Sequence, residues 1–123
     1  MKVLSTEKAP AAIGPYSQAL VSGNMVFVSG QIPVDPVSGS IAETIEEQTA
    51  QSLSNIRNIL AENGMTMSDV IKTTVFLSDL GDFAAMNEVY ASHFEAPYPA
   101  RSCVQVAAIP KGCRVEIECI AVK

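Results

Sequence analysis

The chain has 123 residues and a mass of 13.0 kDa; 48% of the residues are hydrophobic and 17% charged, with a mean hydropathy of +0.24. That is the length of one domain with a real core, over residues 1–123, and it is apolar enough that other subunits are expected to cover part of its surface. Eight Lys and Arg against thirteen Asp and Glu leave a net charge of −5. With no basic run to track phosphates, the composition argues against a nucleic-acid partner.

The opening MKVLSTEKAP holds no apolar stretch of signal-peptide length, and no later segment is long enough to span a bilayer. Cys103, Cys113 and Cys119 are odd in number and lack CxxC spacing. A reduced, cytoplasmic protein without a disulfide framework or a zinc site is expected.

In chain order, residues 3–5 suggest a short extra strand. Residues 17–22 and 25–29 read as two strands joined around Gly23-Asn24, a hairpin turn. "GQIPVDPVSGS" follows as a loop of successive turns. Thr44-Ile45-Glu46-Glu47 has capping-box form, and Ile45, Thr49, Leu53, Ile56 and Leu60 continue at helical spacing until Asn63-Gly64. "VIKTTVFL", Val70–Leu77, is β-branched and strand-like. Asp82 is placed to cap a second helix with a stripe of Phe83, Met86, Tyr90 and His93/Phe94. Strands over 100–108 and 114–122, separated by the turn Pro110-Lys111-Gly112, complete the order β-β-α-β-α-β-β. The fold class is α+β: a mixed sheet with both helices on one face, its other face left for oligomerisation.

Candidate chemistry gathers near the C-terminus. Along 100–108, Arg101, Cys103 and Gln105 share one strand face. Along 114–122, Val115, Ile117, Cys119 and Ala121 form an apolar face, while Arg114, Glu116, Glu118 and Ile120 point away from it. Antiparallel pairing of these two strands is expected to bring Arg101 to the same side as Glu116 and Glu118. The pattern admits two readings. One is a structural Arg–Glu ion pair at a subunit interface; the other is an Arg fork binding a carboxylate, with a Glu handling a proton or a water.

Arg101 would favour a thiolate at Cys103, but His93, the single histidine, lies at the far end of a helical stripe. Cys103 therefore reads as a buried, unreactive thiol. Neither HExxH nor a D-x-D cluster is present, so no metal is expected. Tyr16, after Gly14-Pro15, either faces a pocket from a rigid turn or packs over the sheet edge. Ser29-Gly30 either offers a backbone N–H to an anion or simply ends a strand. Neither GxGxxG nor GxxxxGK[ST] occurs, so no nucleotide cofactor is indicated.

"AAIGPYSQA", "SGQIPVDPVSG", "VIKTTVFLSDLGDFAAMNEVY" and "YPARSCVQVAAIPKGCRVEIECIAV" together resemble the Rid family of reactive enamine/imine deaminases, over about residues 6–122. The resemblance implies a chorismate-mutase-like α+β fold, a homotrimer, and three clefts between subunits. It assigns Arg101 to the substrate carboxylate, and Glu116, with the main-chain carbonyl of Cys103, to the attacking water. The backbone of Gly30 and the side chains of Tyr16, Ser29 and Asn87 would line the cleft. Gln105 stands where close relatives commonly carry a glutamate, which bears on substrate preference. The implied substrates are 2-aminoacrylate and 2-aminocrotonate, hydrolysed to 2-keto acids and ammonia without metal or organic cofactor. Two rivals share the cleft: a non-catalytic carboxylate-binding trimer, regulatory or chaperone-like, and an endoribonuclease, as older family names have it. Charge and the single histidine oppose the latter.

Overall fold

Six strands and two helices make up residues 1–123 of the computed structural model: β1 (Lys2–Leu4), β2 (Ala19–Ser22), β3 (Met25–Gln31), α1 (Ile45–Ala61), β4 (Val70–Leu77), α2 (Phe83–Ser92), β5 (Ala100–Gln105) and β6 (Val115–Val122). The short strand expected at 3–5 is β1. Thr44 caps α1, its hydroxyl accepting the Glu47 N–H at 3.1 Å. The helix closes as the stop signal predicts. Gly64 takes φ +67°, which costs glycine no Cβ clash, and the Met65 N–H returns to the Leu60 carbonyl at 3.1 Å. Every position of the predicted stripe, from Ile45 to Leu60, is buried.

The strands form one sheet in the order β1-β2-β3-β6-β4-β5, antiparallel except for the parallel pair β4–β5. Both helices lie on one face, where alternate residues of β4 and β6 (Thr73, Val75, Leu77; Val115, Ile117, Cys119, Ala121) are buried beneath them. The opposite face is uncovered within the chain. Phe27 is 43% exposed there and Val104 44%, too much apolar surface to leave in water without cost.

The expected pairing of the last two strands is not found. β5 and β6 are not neighbours, because β4 lies between them. The reason lies in the crossover: α2 carries the chain back over the sheet, so β5 returns beside β4 and parallel to it. The alternating apolar β6 takes the central place between β3 and β4. β5, entered through Pro97 and Pro99 and carrying Arg101, is left at the edge, where unpaired or charged positions are tolerated. Two smaller expectations also change. β5 ends at Gln105, before the turn at Pro110. Asp82 does not cap α2; its carboxylate instead takes two bonds from Arg114, at 2.8 and 3.2 Å. Arg114, which also reaches the Glu43 carbonyl, thus leaves the Glu116 face and ties the start of α2 to the segment before α1.

Candidate active site

Two groups of candidate residues form, on opposite faces of the sheet. The first surrounds a β-bulge in β3. Val28 pairs with Cys119 but Gln31 with Ile117, so β3 carries one extra residue across Ser29-Gly30. A Cβ at Gly30 would collide with the Glu116 carboxylate, so only glycine admits that carboxylate so close to the backbone. Ser29 donates its hydroxyl to the Ser17 carbonyl at 2.6 Å, and its N–H bonds the Gln18 carbonyl. These bonds fix the segment carrying Tyr16, whose ring lines a cavity of about 250 Å³ together with Gly30, Ile13 and Ile32. Burial, and then the neighbouring Glu118 charge, push the Glu116 carboxyl above the usual carboxylate range.

The second group sits on the helix side of β5. Arg101 pairs in register with Thr73, and Cys103 with Val75, both beneath the helices. The Arg101 guanidinium carbon lies 4.8 Å from the centre of the Tyr90 ring and 5.5 Å from that of Phe83. One guanidinium nitrogen, Nη1, approaches the Met86 sulfur at 4.0 Å. No other side-chain bond involves Arg101, and the only ion pair in the chain is Arg114–Asp82. Asn87 follows Met86 on α2, partly buried. Gln105 accepts the Leu80 N–H at 2.9 Å and so holds the turn before α2 against β5.

Arg101 and Glu116 are therefore not brought together in one chain. Glu116 pairs with Phe76, on the bare face, while Arg101 shares the helix side with Thr73. The intrachain Arg101–Glu116 ion pair is absent. Gln18 was not singled out by its sequence context, yet it holds the loop before Tyr16. Buried to 3% exposure, it bonds the Thr6, Ala9 and Pro10 carbonyls and the Thr6 N–H. A glutamine just before a strand offers no pattern by which this could be read in advance.

Burial raises the Cys103 thiol pKa, with Arg101 acting against the rise. His93 is occupied at the end of α2, its Nδ1 2.9 Å from the Val89 carbonyl. A neutral thiol without a base is a poor nucleophile. Cys103→Ala is accordingly expected to retain most catalytic activity. Loss of turnover in a folded protein, with substrate covalently trapped on the wild-type thiol, would reverse that assignment. No three His, Cys, Asp or Glu side chains stand together as a metal set, and no helix is long and apolar enough to cross a membrane.

Fold and site define the class: a small α+β protein with an unpaired arginine at one sheet edge and a partly buried glutamate over a bulge on the opposite face. The chain belongs to the Rid family, whose model, described as endoribonuclease L-PSP, matches residues 6–123. It is 51% identical to the 2-iminobutanoate/2-iminopropanoate deaminase of Salmonella typhimurium, over 99% of this chain and 98% of the relative. The structure of E. coli TdcF with bound serine superimposes with a TM-score of 0.95 at 50% identity, covering 100% of this chain and 99% of that one. RidA from an Antarctic Psychrobacter gives 0.97 at 46% identity, with 100% of both chains covered.

Proposed function

We propose that this protein hydrolyses small 2-imino acids, formed by tautomerisation of 2-aminoacrylate and 2-aminocrotonate, to 2-keto acids and ammonia. The observation that carries the reading is Arg101: a partly buried guanidinium with no carboxylate partner in its own chain. Its planar N–H fork matches a substrate carboxylate. The names of the relatives support the chemistry, and the serine bound in TdcF carries such a carboxylate.

With the carboxylate held, the protonated imine carbon is fixed as the electrophile. Glu116 orients a water and takes one of its protons as the oxygen adds to that carbon. Glu116 returns that proton to the carbinolamine nitrogen; ammonia leaves as the C–N bond breaks, the hydroxyl proton passes to Glu116, and the 2-keto acid remains. A carboxylate whose pKa is raised above the ordinary glutamate value is better matched to accepting and returning that proton. Tyr16, Ser29, Gly30 and Asn87 line the cleft in this reading, and the Cys103 main-chain carbonyl helps position the water. No metal or organic cofactor takes part. Three free cysteines fit a reducing, cytoplasmic setting.

Because Arg101 and Glu116 face opposite ways, a working site needs Arg101 from one subunit and Glu116 from the next. A homotrimer with three such clefts places the bare sheet face between subunits. The test is a coupled assay in which a serine or threonine dehydratase generates imine and its disappearance is followed. Arg101→Ala and Glu116→Gln should each be inactive alone. Unfolded, mixed in equal amounts and refolded together, they should recover about a quarter of wild-type activity, the share of clefts receiving both intact residues. No recovery in properly assembled mixed trimers would place both residues in one subunit's site. Wild-type protein that leaves imine decay unchanged, yet binds 2-ketobutyrate, would favour the non-catalytic carboxylate-binding reading.

A further inference from the structure

We infer that Tyr90 and Phe83 are positioning residues that grip the Arg101 guanidinium by its faces and leave its N–H fork free for the substrate carboxylate. The inference rests on the carboxylate-binding role of Arg101 proposed above. A flexible arginine can be held in place in two ways. A protein carboxylate would hold it, but would occupy the same in-plane N–H groups that the substrate needs. Aromatic faces hold it through the ring quadrupole and leave those N–H groups unused.

The cradle is anchored at both ends. In its middle, Tyr90 is 5% exposed and its hydroxyl is 2.7 Å from that of Thr73, which is wholly buried. Thr73 is the residue of β4 paired in register with Arg101. One strand pair therefore places both the guanidinium and the hydroxyl that fixes the ring beneath it. Phe94, with its ring centre 4.7 Å from that of Tyr90, packs against the ring. At the start of α2, Phe83 directly follows Asp82, which Arg114 holds by two bonds. Gln105, four residues along β5 from Arg101, holds the Leu80 N–H. The edge strand that carries the arginine is thus fastened to the turn that leads into one of its two aromatic partners.

The test uses Phe83→Leu, Tyr90→Leu and Tyr90→Phe in the full-length assembled protein, with Arg101→Ala alongside. Readouts are 2-ketobutyrate affinity by calorimetry, KM and kcat for generated imine, and the Arg101 Nε–H resonance, which an adjacent ring should shift upfield. Phe83 is partly exposed, so its leucine variant folds even if Tyr90→Leu does not. Phe83→Leu should weaken affinity about 3-fold and Tyr90→Leu about 10-fold, with KM rising alike and kcat nearly kept, as expected for lost cation–π contacts made equally in ground and transition states. Tyr90→Phe keeps the face and should rescue most of the loss, and the upfield shift should shrink only when a ring is removed. Wild-type affinity in Phe83→Leu and in folded Tyr90→Leu, with affinity lost in Arg101→Ala, overturns the cradle alone. Wild-type affinity in Arg101→Ala overturns the carboxylate clamp and the cradle with it. A fall in kcat at unchanged KM also overturns it, since that marks only a loss of folded enzyme.

Discussion

Arg101→Lys will fail almost as badly as Arg101→Ala. Lysine keeps the positive charge but presents a point donor on a flexible stem, and it cannot form two parallel bonds to a carboxylate. It also lacks the plane that lies over Tyr90 and Phe83, so it loses the rings' hold as well as the fork. Both variants should lower kcat/KM by about 10²-fold or more, because displacing a bound electrophile by an ångström already costs that much. Binding of 2-ketobutyrate should weaken in parallel. Undiminished affinity in a folded Arg101→Ala protein would leave the guanidinium a purely structural group.

Glu116→Gln should separate binding from chemistry. The amide keeps the shape over Gly30 and some hydrogen bonding, but it cannot take the proton from water. Imine hydrolysis is expected to slow by about 10²–10⁴-fold, the usual worth of a general base, with 2-ketobutyrate still bound nearly as well as by wild type. Near wild-type turnover in the glutamine variant would sink the assignment.

The wild-type pH profile should carry the same signature. Burial and the Glu118 charge raise the Glu116 pKa, so the active carboxylate is lost at a higher pH than an ordinary glutamate would allow. Glu118→Gln removes the second cause and should move the acid limb of kcat/KM to lower pH, measured against uncatalysed imine decay at each pH. The stability consequence has the opposite sense. A raised folded-state pKa means the folded protein binds this proton more tightly than the unfolded chain does. Its contribution is fully present below the ordinary glutamate value of 4.5 and is lost as pH rises through the raised value. At neutral pH the Glu116 charge is thus a cost to folding, and Glu116→Gln should have a Tm no lower than wild type while turning over little.

Local signals were sufficient for most of the architecture. The Thr44 cap, the spacing from Ile45 to Leu60 and the Asn63-Gly64 stop bounded α1 because each acts within a few residues of the chain. The alternation of Val115, Ile117, Cys119 and Ala121 identified the buried face of β6, because a strand's period of two belongs to its own backbone. The resemblance, carried by contiguous stretches around Tyr16, Ser29-Gly30, Arg101 and Glu116, implied the residues of the proposed site.

What local pattern could not carry was which strand lies beside which. Pairing depends on how α2 turns the chain and on which strand is apolar enough for the centre of the sheet, and both are settled by long-range packing. An adjacent hairpin of β5 and β6 would have put Arg101 and Glu116 side by side. The interposed β4 separates them by a strand and turns them to opposite faces. Composition and spacing thus determined the elements, their order and the α+β class. Only the tertiary structure decided that Phe83 and Tyr90, read along the chain as core stripe, lie against Arg101, and that Arg101 and Glu116 lie on opposite faces of the sheet. Alternation fixes a side chain's face only relative to its own strand, and the remaining orientation is set by the neighbours the strand acquires on folding.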